Sequence, residues 1–89
     1  MTVTNNTAER RYELDVESHT AIAAYETEGE RIIFTHTVVP DAISGRGVGS
    51  RLIAGALADA RSRGLTVEPR CSFVRDYLDR HPDQQDLLA

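Results

Sequence analysis

Lysine is absent from this chain of 89 residues, and cysteine occurs once. Without lysine there is no Walker A phosphate loop and no Schiff-base mechanism, because each depends on that amine. One cysteine excludes an intrachain disulfide, and one cysteine with three scattered histidines cannot build a four-ligand zinc site, so no metal is expected. No apolar run approaches membrane-spanning length, and Met1 to Thr7 is too polar for a secretory signal. The cytoplasm is therefore the expected location. The net charge of −4 argues against a nucleic-acid binder, which needs a broad basic surface.

What is present describes one small domain, with 40% apolar and 27% charged residues. An unstapled core of this size is marginal, so a bound ligand or a second subunit, such as a homodimer, bears on the fold. All ten basic residues are arginine, and they are unevenly placed. Residues 1–45 carry three arginines against eight acids; residues 46–89 carry seven against six. The second half can hold a small anion, or its arginines are solvated helix faces.

Arg11 to Glu17 alternates Tyr12, Leu14 and Val16 with charged neighbours, which predicts a half-buried strand. A second strand is expected over Thr20–Thr27, ending at the Glu28-Gly29 turn. Arg31 to Val39 is rich in β-branched residues, with apolar side chains in both parities, and reads as a central strand buried on both faces. Pro40 ends it. From Gly47 to Arg63 the period becomes helical, through Val48, Leu52, Ile53, Ala56, Leu57 and Ala60, with Gly64 as C-cap. Leu65–Val67 reads as a short buried strand, and Ser72 as the cap of a last helix that ends near His81-Pro82. The expected fold is α+β: an antiparallel three-strand meander, a helix crossover, a fourth strand parallel to the central one, and a C-terminal helix. Residues 1–9 and 84–89 read as flexible ends, with Leu87 and Leu88 able to dock on the body.

The most informative stretch joins the third strand to the long helix and holds glycines at 45, 47 and 49. Such glycines let the backbone turn tightly, and free amides at a helix start suit phosphate oxygens. A permissive turn is the plainer alternative. Here the sequence resembles the GNAT N-acetyltransferases, in particular their very short single-domain members. Their cofactor signature, Gln or Arg, two variable residues, Gly, one variable residue, then Gly or Ala, is matched by Ser44-Gly45-Arg46-Gly47-Val48-Gly49. The short members also share a His-Thr strand end before proline, matched by His36-Thr37-Val38-Val39-Pro40. A Pro-x-Cys-x-aromatic turn is matched by Pro69-Arg70-Cys71-Ser72-Phe73, and a Tyr-Leu-x-x-His-Pro helix end by residues 77–82. Ser44 departs from the usual Gln or Arg, and Val38 stands where the short members often carry an acid.

The resemblance implies an acetyl-CoA site, with pyrophosphate on the backbone amides of residues 45 to 50 and the pantetheine arm between the splayed third and fourth strands. The cofactor-binding set it implies is Val38, Val39, Ser44, Gly45, Arg46, Gly47, Val48, Gly49, Ser50 and Arg51. Amides near Val38 and Val39 would face the oxyanion, and Tyr77 would protonate the leaving CoA thiolate; Tyr77 also fits a plain core aromatic. Cys71, at a helix start near Arg70 and Arg75, fits either a nucleophile that carries the acetyl group or a small buried apolar residue. His36 is either a general base or a hydrogen-bonded sheet histidine. The function implied is acetyl transfer from acetyl-CoA to an unidentified amine. The alternative is a non-catalytic CoA-binding or interaction module, since the sequence has no counterpart of the amino-terminal helices with which full-length members build their acceptor site.

Overall fold

In a computed structural model the described residues are 2–88. Strands β1 (Thr4–Asn6), β2 (Arg11–Val16), β3 (His19–Glu28) and β4 (Arg31–Val38) come first. A 3-10 turn (Asp41–Ile43), helix α1 (Val48–Ser62), strand β5 (Thr66–Pro69), helix α2 (Ser72–Arg80) and a second 3-10 segment (Pro82–Leu87) follow. The sheet runs β1-β2-β3-β4-β5, antiparallel up to β4 and parallel between β4 and β5. This is the expected meander, crossover and parallel fourth strand, with one further strand at the edge.

Short turns set the meander. Glu17 and Ser18 both take positive φ, 49° and 68°, which a two-residue hairpin needs to match the strand twist. Inward residues of β2, β3 and β4, among them Leu14, Ala23, Ile32 and Phe34, meet Leu52, Ile53 and Leu57 of α1 and Val74 and Leu78 of α2 in one buried cluster. Both helices therefore cover the same face of the sheet. Burying each large aliphatic side chain there is worth about 1.5–3 kcal/mol. Helix α1 ends in a Schellman arrangement, with Leu65 N–H bonded to Ala60 O and Gly64 N–H to Arg61 O, and Gly64 one residue beyond the cap.

The third predicted strand is not buried on both faces along its length. Ile32, Ile33 and Phe34 are buried, but His36 and Val38 are exposed. A register shift explains the mixed parity: Tyr25 pairs with Phe34 and Ala24 with His36, leaving Thr35 as the extra residue of a bulge. Before the bulge the even residues Ile32 and Phe34 face the core; after it Thr37, opposite the buried Ala23, faces inward. His36 and Val38 are thereby turned to the helix-free face.

The amino-terminal end differs from the expectation of a loose tail, and at the carboxy-terminal end Leu87 and Leu88 dock on the body. Residues 4–6 form β1, whose polar sequence hides the strand because side-chain hydrogen bonds hold it. Asn5 Oδ1 accepts from the Tyr25 hydroxyl at 2.6 Å, and Asn5 Nδ2 donates to Asp59 Oδ2 of α1 at 3.5 Å. At the other end Leu87 is buried, Leu88 bridges to Val67, and Asp86 pairs with Arg61 at 2.8 Å. Met1 and Ala89 lie outside the described residues.

Candidate functional site

Parallel pairing of β4 with β5 begins at Arg31 and Thr66 and stops at Phe34 and Pro69. Proline has no N–H to continue the ladder, and Phe34 O instead accepts from both Arg70 N–H and Cys71 N–H, each at 3.1 Å. Strand β4 continues to Val38 without that neighbour, so the two strands part beyond Phe34.

The loop that follows is anchored by Ile43, fully buried under the 3-10 turn. Ser44 turns back on that turn, its hydroxyl donating to Asp41 O at 3.0 Å. Gly45 and Gly47 take φ of 76° and 74°, a left-handed conformation that glycine adopts at no steric cost. Gly47 is the N-cap of α1, and the first bond of that helix runs from Arg51 N–H to its carbonyl. The amides of Val48, Gly49 and Ser50 therefore have no partner within the helix, no side chain caps them, and no acid sits in the first turn. Their N–H groups and the helix dipole together favour an anion.

Gly49 differs from the other two. Its backbone is helical and buried, and an added Cβ would sit 2.4 Å from Phe73 Cζ. The glycine is required by helix packing rather than by a turn. Phe73 closes a cavity of about 190 Å³ whose other walls are Val39, Ser44, Gly45, Gly47, Val48, Gly49 and Ser50. In the sequence Phe73 stands out only as the aromatic of the Pro-x-Cys-x-aromatic turn; the contact across α1 and α2 that makes it a wall depends on tertiary packing. A larger concavity, about 350 Å³, lies on α2 against Asp76, Asp79 and Arg80 and holds none of the candidate residues.

Val38, Arg46 and Arg51 do not line the smaller cavity. Arg46 is ion-paired with Glu17 in the β2–β3 turn, and Arg51 is exposed on the first turn of α1.

Cys71, not Ser72, occupies the N-cap of α2. Burial pushes its thiol up, but hydrogen bonds from Thr37 and from backbone at Val74, Phe73 and Thr37 outweigh that and leave it below the ordinary thiol value. The sulfur lies 3.3 Å from Thr37 Oγ1. The arginines expected to help are engaged elsewhere: Arg70 pairs with Glu68, and Arg75 donates to Arg70 O at 3.1 Å. Tyr77 is 6% exposed, belongs to the core cluster, and stacks on His81 with ring centroids 3.8 Å apart. Burial, aided by Asp83, raises its phenol, so the hydroxyl keeps its proton. His36 is exposed and points to the face opposite Thr37, so it is not assembled with Cys71. Among the described residues, no group of three His, Cys, Asp or Glu side chains is placed to hold a metal ion.

A five-stranded mixed sheet that parts beside an uncapped, glycine-opened helix makes this an α+β domain with an anion-favouring helix start at the parting of its strands. The family model described as GCN5-related N-acetyl-transferase matches residues 11–87, and the chain belongs to that family. It is similar to Protein NATD1 of chicken and of mouse, 35% identical over 68 residues, and to that of human at the same identity. Those matches cover 75% of this chain but only 62% of the chicken and mouse proteins and 60% of the human one. The solution structure of a GCN5-like protein from Staphylococcus aureus superposes with a TM-score of 0.75 and 27% identity, covering 98% of this chain and 86% of that one. The sheet and helices thus form a GNAT-like fold, in a family that typically binds acetyl-CoA and transfers its acetyl group.

Proposed function

We propose that the chain binds acetyl-CoA and transfers the acetyl group to an amine. The carrying observation is the uncapped start of α1, opened by Gly47 and joined to the cavity walled by Val39 and Phe73 beside the parting of β4 and β5. Pyrophosphate sits on the amides of residues 45–50, and Arg46 and Arg51 meet further phosphate charge. The pantetheine arm lies between the parted strands, where β4 has main-chain groups to offer.

In the transfer, the amine nitrogen attacks the thioester carbonyl carbon, and amides near Val38 and Val39 hold the oxyanion. The C–S bond then breaks, the CoA thiolate takes a proton from Tyr77, and His36 receives the surplus proton of the amine. Cys71 offers a covalent route in which its thiolate takes the acetyl group first and passes it to the amine. A second reading, a CoA-binding module without turnover, is favoured by one observation: Cys71 and His36 face opposite sides of the sheet.

One sample tests these readings. Acetyl-CoA is added to the purified protein, amide spectra are recorded, and intact mass is followed with an amine panel. Shifts confined to residues 39–50 with turnover support the enzyme, and an acetyl adduct lost in Cys71→Ala supports the covalent route. Stoichiometric binding with neither adduct nor product supports the module, and the absence of any shift at residues 44–50 sinks the cofactor assignment.

A further inference from the structure

We propose that His81 is a positioning residue for Tyr77: its imidazole, stacked on the phenol ring, supplies the hold that a hydrogen bond would otherwise exert and leaves the hydroxyl free to protonate the departing CoA thiolate. The inference rests on the acetyl-transfer reading above.

The three tyrosines are held in two different ways. Tyr12 and Tyr25 are fixed at their oxygens, which donate to Asp59 and to Asn5 at 2.6 Å each. Tyr77 is as deeply buried as Tyr25, yet its hydroxyl takes no partner among the described residues. No buried side-chain oxygen or nitrogen there lacks a partner either, so the part of Tyr77 that still meets solvent is the hydroxyl tip. A phenol tied at its oxygen must break that bond before it passes a proton on; Tyr77 has none to break. Burial, aided by Asp83, keeps it protonated, as a proton donor must be.

His81 fixes the ring instead. The two rings are nearly parallel, 14° apart, with centroids at 3.8 Å. The imidazole is itself anchored: Nδ1 lies 2.7 Å from Tyr77 O, and since a carbonyl only accepts, Nδ1 carries the hydrogen. His81 N–H donates to Leu78 O, its carbonyl accepts from Gln84 N–H at 2.9 Å, and Pro82 follows. Turning the imidazole away from Tyr77 therefore gives up the Nδ1 bond as well as the stack.

Phe73, Tyr77 and His81 succeed one another at four-residue spacing, at which side chains lie on one face of a helix and lean toward its start. His81 thus backs Tyr77, and Tyr77 lies over the turn that carries Phe73, the wall of the cavity beside the glycine loop. A helix cap alone would need only the Nδ1 donor; the overlaid ring is a second feature, and substitution can separate the two.

The test uses the full chain with its tyrosines labelled by 13C at Cζ, a signal that reports on the phenol oxygen. CoA is added, and in a second titration desulfo-CoA, which lacks the sulfur. The Tyr77 signal is expected to move with CoA and not with the analogue, while Tyr12 and Tyr25 stay in place. His81→Phe keeps a ring without the donor and should preserve that response; His81→Gln keeps a donor without the ring and should lose more than half of it. With acetyl-CoA and the amine panel, His81→Gln should lower kcat about two- to tenfold, the range for one aromatic pair, at unchanged KM for acetyl-CoA, and His81→Phe should restore it. A Tyr77 signal that ignores CoA or moves equally with desulfo-CoA, His81→Gln behaving like the parent, or His81→Phe falling as far as His81→Gln would overturn the proposal. Binding without any turnover would overturn it as well, since no thiolate then departs. Missing amide shifts at residues 44–50 would instead defeat the cofactor assignment itself, a result read separately in the same sample.

Discussion

Gly49 of α1 and Phe73 of α2 touch so closely that a side chain on the glycine has nowhere to go: its Cβ would lie 2.4 Å from the ring. One contact thus joins the glycine loop to the Cys71 turn and forms the back of the 190 Å³ cavity. Gly49→Ala is expected to destabilise the protein by about 1–3 kcal/mol through overpacking, measured by urea denaturation. Adding Phe73→Leu should recover part of the loss, whereas equal loss in single and double variants would show that the strain lies elsewhere. Gly47→Ala has open space around it and should cost about 1 kcal/mol, from left-handed backbone strain alone.

Cys71 is held below the ordinary thiol value by Thr37 and the first amides of α2, against the opposing effect of burial. Its alkylation by iodoacetamide should therefore reach half-maximal rate at a lower pH in the folded protein than in the urea-unfolded chain. Thr37→Val removes one of those hydrogen bonds and should move the midpoint upward. An unmoved midpoint would assign the activation to the helix amides alone.

Tyr12 donates to Asp59 at 2.6 Å, and burial first, then that carboxylate, pushes its phenol well above its ordinary value. The folded state consequently holds the proton more tightly than the unfolded chain. The linked stability is fully present below about pH 10, the unfolded value, and is lost as pH rises above it toward the folded value. Tyr12→Phe should flatten that alkaline slope in denaturation curves and cost about 1–2 kcal/mol at neutral pH, because the bond joining β2 to α1 is gone. An unchanged slope would place the alkaline transition on another group.

Arg46 is held by Glu17 across the loop. If it meets CoA phosphate, it must leave that partner, so Glu17→Gln should tighten CoA binding up to about fivefold at low salt. The gain should shrink as salt is added, since both side chains are exposed. Weaker binding in Glu17→Gln would mean that Glu17 positions Arg46 instead of competing for it.

Local chemistry was legible along the chain. Alternation in Tyr12, Leu14 and Val16, the helical recurrence from Val48 to Ala60, and Gly64 beyond the helix end each appear in the fold as the residues alone suggested, because burial and backbone geometry act within one element. The glycine loop was visible for the same reason. β1 was not, since Thr4, Asn5 and Asn6 carry no apolar period and are held by partners far along the chain.

The amino-acid sequence by itself determined, β1 apart, which segments pair and pack: short turns force the meander, and a helix between strands forces the parallel crossover. It also determined, through the missing lysine, that the proposed phosphate site has only amides and arginines to draw on. Tertiary structure alone decided where the side chains point. The bulge at Thr35 is an extra residue seen only against its partner strand, and it sends Thr37 toward Cys71 while turning His36 and Val38 to the far face. The contact of Gly49 with Phe73 likewise exists only once two helices, separate in sequence, lie on one face of the sheet.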